Sequence, residues 1–187
     1  MTMVINLEPL TRSLTREQFV RLCQSNPALQ LERSPQGELV VVSPVGGESG
    51  NQEATLITKV GIWNERTQLG YVFSSSTVFS LPKGGDRSPD VAWVAKSCWE
   101  SLSAVEREAF PPICPDFVIE LRSRSDRLPP LRSKMQEYLD SGLRLGWLIN
   151  PQDQQIEIYQ PSSDISVIAL PATLSGDTVL PGFQLAL

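Results

Sequence analysis

Two acidic residues of this chain lie in apolar surroundings. Glu120 interrupts the run Phe117-Val118-Ile119-Glu120-Leu121, and Asp90 opens Asp90-Val91-Ala92-Trp93-Val94. Continuous apolar runs of that length read as strands covered on both faces. A carboxylate there needs a partner, a proton or a metal ion, because an unpaired buried charge is expensive. Lys134 follows on a segment of helical pattern. Leu131 precedes it by three positions and Tyr138 follows by four, so all three lie on one side. Phosphodiester hydrolysis needs a nucleophilic water, charge neutralisation at phosphorus and help for the leaving oxygen. A cation held by Asp90 and Glu120, with the backbone carbonyl of Leu121 as a further oxygen and Lys134 assisting, supplies these. The same acids and lysine would also make a buried salt-bridge network, and spacing alone does not choose.

Composition narrows the chemistry. Histidine is absent, which removes histidine triads, histidine bases and imidazole ligands. Any metal must then sit on oxygen, which favours magnesium, manganese or calcium over zinc. Three cysteines, Cys23, Cys98 and Cys114, are too scattered for a disulfide framework. The net charge of -5 argues mildly against a protein coated in nucleic acid. No apolar run approaches the roughly 20 residues of a membrane span, and no basic-then-apolar leader is visible. The expectation is a reduced, cytoplasmic protein of 187 residues in one domain.

The elements that must position these residues follow from periodicity. Thr15-Arg16-Glu17-Gln18 reads as a capping box that opens a helix ending near Asn26. Residues 28–33 and 38–43 read as a structural hairpin. A helix is predicted over 48–67, with Leu56, Val60 and Trp63 on one face. Glu48 at its start complements the helix dipole or joins the site; both readings stand. Strands are predicted at 70–73, 77–81 with one solvated face, and 87–94, followed by short helices over 99–110. The central strand spans 116–122, a helix 129–141 with Gly142 as its cap, and a buried strand 145–150. Residues 155–160 and 165–170 extend the sheet as a hairpin, and the tail through Pro181-Gly182-Phe183 is expected along the sheet edge.

Taken in series, these residues resemble the PD-(D/E)xK nucleases, and within them the Uma2 or DUF820 family of restriction-endonuclease-like proteins. The carriers are Ser43-Pro44 with Gly46-Gly47-Glu48, Arg87-Ser88-Pro89-Asp90-Val91, and Pro115-Asp116-Phe117-Val118-Ile119-Glu120-Leu121. Lys134 with Tyr138, then Gly142 and Trp147-Leu148-Ile149-Asn150-Pro151, complete it. The resemblance implies an α/β fold, restriction endonuclease-like, with a mixed central sheet flanked by helices. The N-terminal helix-hairpin (1–43) and C-terminal strands (152–187) are additions to a core over 44–151. It implies a Mg2+ centre, with Mn2+ as a substitute, on Asp90 and Glu120, with Glu48 matching an additional acid. The superfamily lysine falls two positions after the second acid, where this chain has Arg122. In this family it resembles a lysine displaced onto the next helix, here Lys134.

The function expected is a metal-dependent endonuclease hydrolysing DNA; the alternative is a non-catalytic binding or scaffold protein on a nuclease-like fold. Arg87, Arg122 and Arg124, with Arg127 and Arg132, either grip phosphates or form a solvated loop. Double-strand cleavage by one site per chain suggests a homodimer.

Overall fold

The computed structural model describes residues 13–187; the expectation about an N-terminal leader therefore falls largely outside the described residues. In chain order the elements are α1 (Arg16–Ser25), β1 (Leu31–Arg33), β2 (Leu39–Val41), α2 (Gly47–Thr67), β3 (Gly70–Ser74), β4 (Phe79–Ser80) and β5 (Asp86–Arg87). There follow β6 (Val91–Ala95), α3 (Lys96–Glu100), α4 (Ala104–Glu108), β7 (Phe117–Leu121), α5 (Leu128–Asp140) and β8 (Leu145–Asn150). Last come β9 (Gln155–Tyr159), β10 (Ser166–Ala169), β11 (Thr173–Ser175) and β12 (Gln184–Ala186).

The main sheet is mixed and six-stranded, in the order β10-β9-β8-β7-β6-β3. Only β7 and β8 pair in parallel, joined through α5; the other neighbours run antiparallel. Strand β7 is buried along its whole length, as its composition requires. By alternation Phe117, Ile119 and Leu121 face one side, where α2 contributes Leu56, Val60 and Trp63. Val118 faces the other side, against Met135 and Tyr138 of α5. Glu120 shares that second face. The capping box of α1 forms as expected, with Gln18 N donating to Thr15 Oγ1 at 3.2 Å and Thr15 N donating to Gln18 Oε1 at 2.9 Å.

Three expectations are corrected. The segment 87–94 is not one strand: Asp86 and Arg87 belong to β5, and the chain bends at Asp90 before β6. Pro89 and the bend move the chain from one sheet to another. Second, the strand expected at 77–81 with a solvated face is covered instead, because the N-terminal hairpin, which forms as expected, continues into a larger sheet. The hairpin joins β5 and β4 in a four-stranded sheet, order β2-β1-β5-β4. Phe79 and Ser80 of β4 are both buried there, so the predicted solvated face is absent. Phe79 meets Phe73 edge-on at 5.3 Å, and Ser80 Oγ donates to Asp86 Oδ1 at 2.5 Å. Third, the tail covers a sheet face rather than an edge. Phe183 stacks on Trp147 with centroids 6.1 Å apart, and it lies 5.9 Å from Trp63. The α2 face of the sheet is wider than one helix, and β11 and β12 finish its cover with Leu174 and Leu185.

Candidate active site

The register of β6 on β7 brings the two acids together. Val91 pairs with Ile119, so the next position outward sets Asp90 beside Glu120. Leu121 N donates to Asp90 Oδ2 at 2.6 Å, which ties the bend to the end of β7. Asp90 therefore stands at the mouth of a strand, partly exposed, and Glu120 is buried one strand over.

Helix α5 supplies the groups that meet Glu120. Lys134 and Tyr138 are one turn apart and project to the same side. Lys134 Nζ lies 2.9 Å from Glu120 Oε1, and Tyr138 Oη donates to that same oxygen at 3.0 Å. Lys134 also donates to the Ser88 carbonyl at 3.0 Å. Burial pushes the Glu120 carboxyl up to about 8, with Asp90 and Glu32 adding to the rise and Lys134 opposing it. Burial likewise raises Asp90, to about 6, against the pull of Lys134 and the Leu121 N–H. Burial works against the Lys134 charge, yet the carboxylates of Glu120, Glu32 and Asp90 hold it protonated well above its ordinary range.

Sequence reasoning missed Glu32. Strand β1 buries it, and its Oε1 lies 2.8 Å from Lys134 Nζ and accepts from Ser88 N at 2.9 Å. Its Oε2 accepts from Arg87 Nη1 at 3.0 Å. Arg87 is in turn clamped by both oxygens of Glu137 on α5, at 2.7 and 2.6 Å. Burial raises the Glu32 carboxyl, but the charges of Lys134 and Arg87 and the hydrogen bonds from Lys134 and Ser88 outweigh it and keep the group ionised below its usual range. The available signal was a pair of charged dipeptides, Glu32-Arg33 and Asp86-Arg87. Arg33 faces Asp86 across β1 and β5 and bonds it at 2.6 Å, which leaves Glu32 for Arg87.

The remaining expected residues scatter. Arg122 turns away from Glu120: its Nη1 donates to Asn150 Oδ1 at 3.1 Å and Asp153 Oδ2 at 3.0 Å. Arg132 pairs with buried Glu157 at 2.6 Å. Arg87 is engaged as described, so neither it nor Arg122 presents an open guanidinium to phosphate. Arg124 and Arg127 are exposed and form no ion pair among the described residues. Glu48 lies exposed in the first turn of α2 and accepts from Gln52 at 3.3 Å. The α2 acid whose charge reaches Asp90 is Glu53, which also accepts from Ser75 Oγ at 2.5 Å.

The donors fit a hard divalent cation. Glu120 uses Oε1 for Lys134 and Tyr138, and Asp90 uses Oδ2 for Leu121 N; the other oxygen of each forms no hydrogen bond among the described residues. The Asp90 charge raises the Glu120 carboxyl, and Glu53 and Glu32 raise Asp90, a repulsion that a bound cation would relieve. Glu32 differs, because both its oxygens are taken. Among the described residues no three acidic or sulfur-bearing side chains gather as a ready-made group. Two carboxylates are enough for magnesium, which keeps several of its waters.

The α/β fold, a mixed sheet flanked by helices, is restriction endonuclease-like, with two acids on adjacent strands and Lys134 on α5 beside them. A crystal structure of a "putative nuclease belonging to DUF820" from Anabaena variabilis ATCC 29413 is similar, with TM-score 0.79 and 18% identity, over 92% of this chain and 94% of that one. The Uma2 family profile, described as "Putative restriction endonuclease", matches residues 16–187. The chain belongs to the Uma2 family. No curated protein matches it.

Proposed function

We propose that the chain is a divalent-cation-dependent endonuclease that hydrolyses DNA phosphodiester bonds. The observation that carries this reading is the pair Asp90 and Glu120 beside a protonated lysine, each with one oxygen that forms no hydrogen bond among the described residues. Asp90, Glu120 and the Leu121 carbonyl would hold Mg2+, or Mn2+ in its place. The cation would supply Lewis-acid polarisation of the phosphate and of an attacking water.

The chain's own residues do the rest. Leu121 N fixes Asp90, and Tyr138 fixes Glu120, so the two carboxylates keep their orientation without a ligand. Lys134 is protonated and cannot serve as a base; its part is to place positive charge where the phosphate gains negative charge. Arg124 and Arg127, exposed on the loop after β7, are placed to reach a flanking phosphate.

The test is nicking of supercoiled plasmid in magnesium, manganese or EDTA by the parent and by Asp90→Ala, Glu120→Ala and Lys134→Ala. Cleavage that needs the cation and disappears in all three is the expected result. A parent that neither cleaves nor binds a cation by calorimetry would leave the scaffold reading in its place.

A further inference from the structure

Lysine carries three N–H donors, and those of Lys134 are all engaged. They go to Glu32 Oε1 at 2.8 Å, Glu120 Oε1 at 2.9 Å and the Ser88 carbonyl at 3.0 Å. In that state the ammonium has no proton to offer a phosphate. One contact must be released before Lys134 can touch substrate.

The three partners are not equally free to let go. The Ser88 carbonyl belongs to the main chain, just before Pro89. Glu32 is held at both oxygens, by Ser88 N and by Arg87, and Arg87 is itself gripped by Glu137 through two bonds. Glu120 is the partner whose charge a cation would also draw on, and its second oxygen forms no hydrogen bond among the described residues. Entry of a cation therefore weakens the Lys134–Glu120 contact first.

We infer that Glu32 is a positioning residue: it retains Lys134 when a divalent cation draws Glu120 away, and the released donor then turns to the substrate phosphate. This rests on the metal-centre reading above and gives the N-terminal hairpin a part in the chemistry. Without Glu32 the lysine has only Glu120 as an anionic partner among its contacts, so lysine and cation compete for the same carboxylate.

Calorimetric titration of the full chain with Mn2+ tests this, using the parent, Glu32→Gln and Glu32→Asp. In Glu32→Gln the affinity should fall about 10–100-fold, the range found for residues that support a metal site from outside its ligands. Glu32→Asp keeps the charge but withdraws it by one methylene, so it should lose affinity comparably. If Glu32 acts only as nearby negative charge, Glu32→Asp binds Mn2+ like the parent and the inference is overturned. If Glu32 is only a strut, both variants melt earlier yet bind Mn2+ as the parent does once folded, which also overturns it. Should Glu32→Gln fail to fold, Glu32→Asp decides alone. On plasmid DNA the variants should lose kcat with KM unchanged. A parent that binds no Mn2+ sinks the metal-centre reading and takes this inference with it. A parent that binds Mn2+ without cleaving sinks the nuclease reading only, and the affinity comparison still decides the role of Glu32.

Discussion

Burial outweighs the pull of Lys134 and raises the Glu120 and Asp90 carboxyls, to about 8 and about 6, so each keeps a share of its protons near neutral pH in the metal-free chain. A cation must displace those protons, so its affinity should climb as pH rises from 6 through 8 and level off above. Calorimetry in buffers of different ionisation enthalpy should register the released protons; an affinity flat across that range would contradict the assignment. The same raised value stabilises the apo fold at low pH, and that contribution is lost as pH rises through about 8. Glu32 has the opposite sign: its depressed carboxyl stabilises the fold above the ordinary carboxylate range and stops doing so as pH falls through its lowered folded value. Glu120→Gln should abolish cation binding yet destabilise the apo chain by only about 1 kcal/mol, since Gln still accepts from Tyr138 and Glu32 still neutralises Lys134. Urea unfolding in EDTA measures it; a loss of roughly 3–5 kcal/mol would mark Glu120 as the essential ion-pair partner instead. Glu120 and Lys134 were legible as residues because one breaks an apolar run and the other sits between apolar neighbours at helical spacing. Glu32 was not, because an acid next to an arginine in a three-residue strand looks like surface.

At the scale of elements, α5 is the part on which the site is mounted. From one face it sends Lys134 to Glu32 and Glu120, Glu137 to Arg87 and Tyr138 to Glu120, and from the other side Arg132 reaches Glu157. These contacts reach both sheets, so α5 bolts the small sheet to the large one. Glu137→Gln breaks the two-bond clamp on Arg87, whose side chain is only 8% exposed. It should destabilise the chain by about 1.5–3 kcal/mol, the range for hydrogen bonds to charged groups, since Arg87 keeps Glu32. A loss below about 0.5 kcal/mol in urea unfolding, the scale of an ordinary surface change, would mean that α5 docks by its apolar face alone. The long apolar elements were readable in advance: β7, β8, α2 and α5 fall within a residue or two of their predicted bounds. The small sheet was not, because β4 and β5 have two residues each and exist only through their pairing. No periodicity can be read from two residues.

For the molecule as a whole, the net charge of -5 goes with arginines of which many are already paired. Arg16, Arg33, Arg87, Arg122, Arg132 and Arg144 all form ion pairs. Non-specific DNA binding should therefore be weak and only shallowly salt-dependent. With Arg124 and Arg127 as the phosphate contacts beside the site, log affinity should fall with log salt at a slope of roughly -2. A slope steeper than roughly -5 would require more phosphate contacts than Arg124 and Arg127 of one chain supply. Sedimentation with and without duplex DNA separates that case, because two chains on one duplex would double the contacts. No described helix is long and apolar enough to cross a membrane. The fully engaged ammonium of Lys134 has a further consequence, in the chain's reactivity toward acylating reagents. The sequence holds four lysines, and Lys59, Lys83 and Lys96 are exposed while the side chain of Lys134 is only 12% exposed, enclosed by its ion pairs and held protonated. An amine reagent should modify three positions and spare the fourth, so the labelling pattern of this one side chain reports whether the two sheets are docked around it.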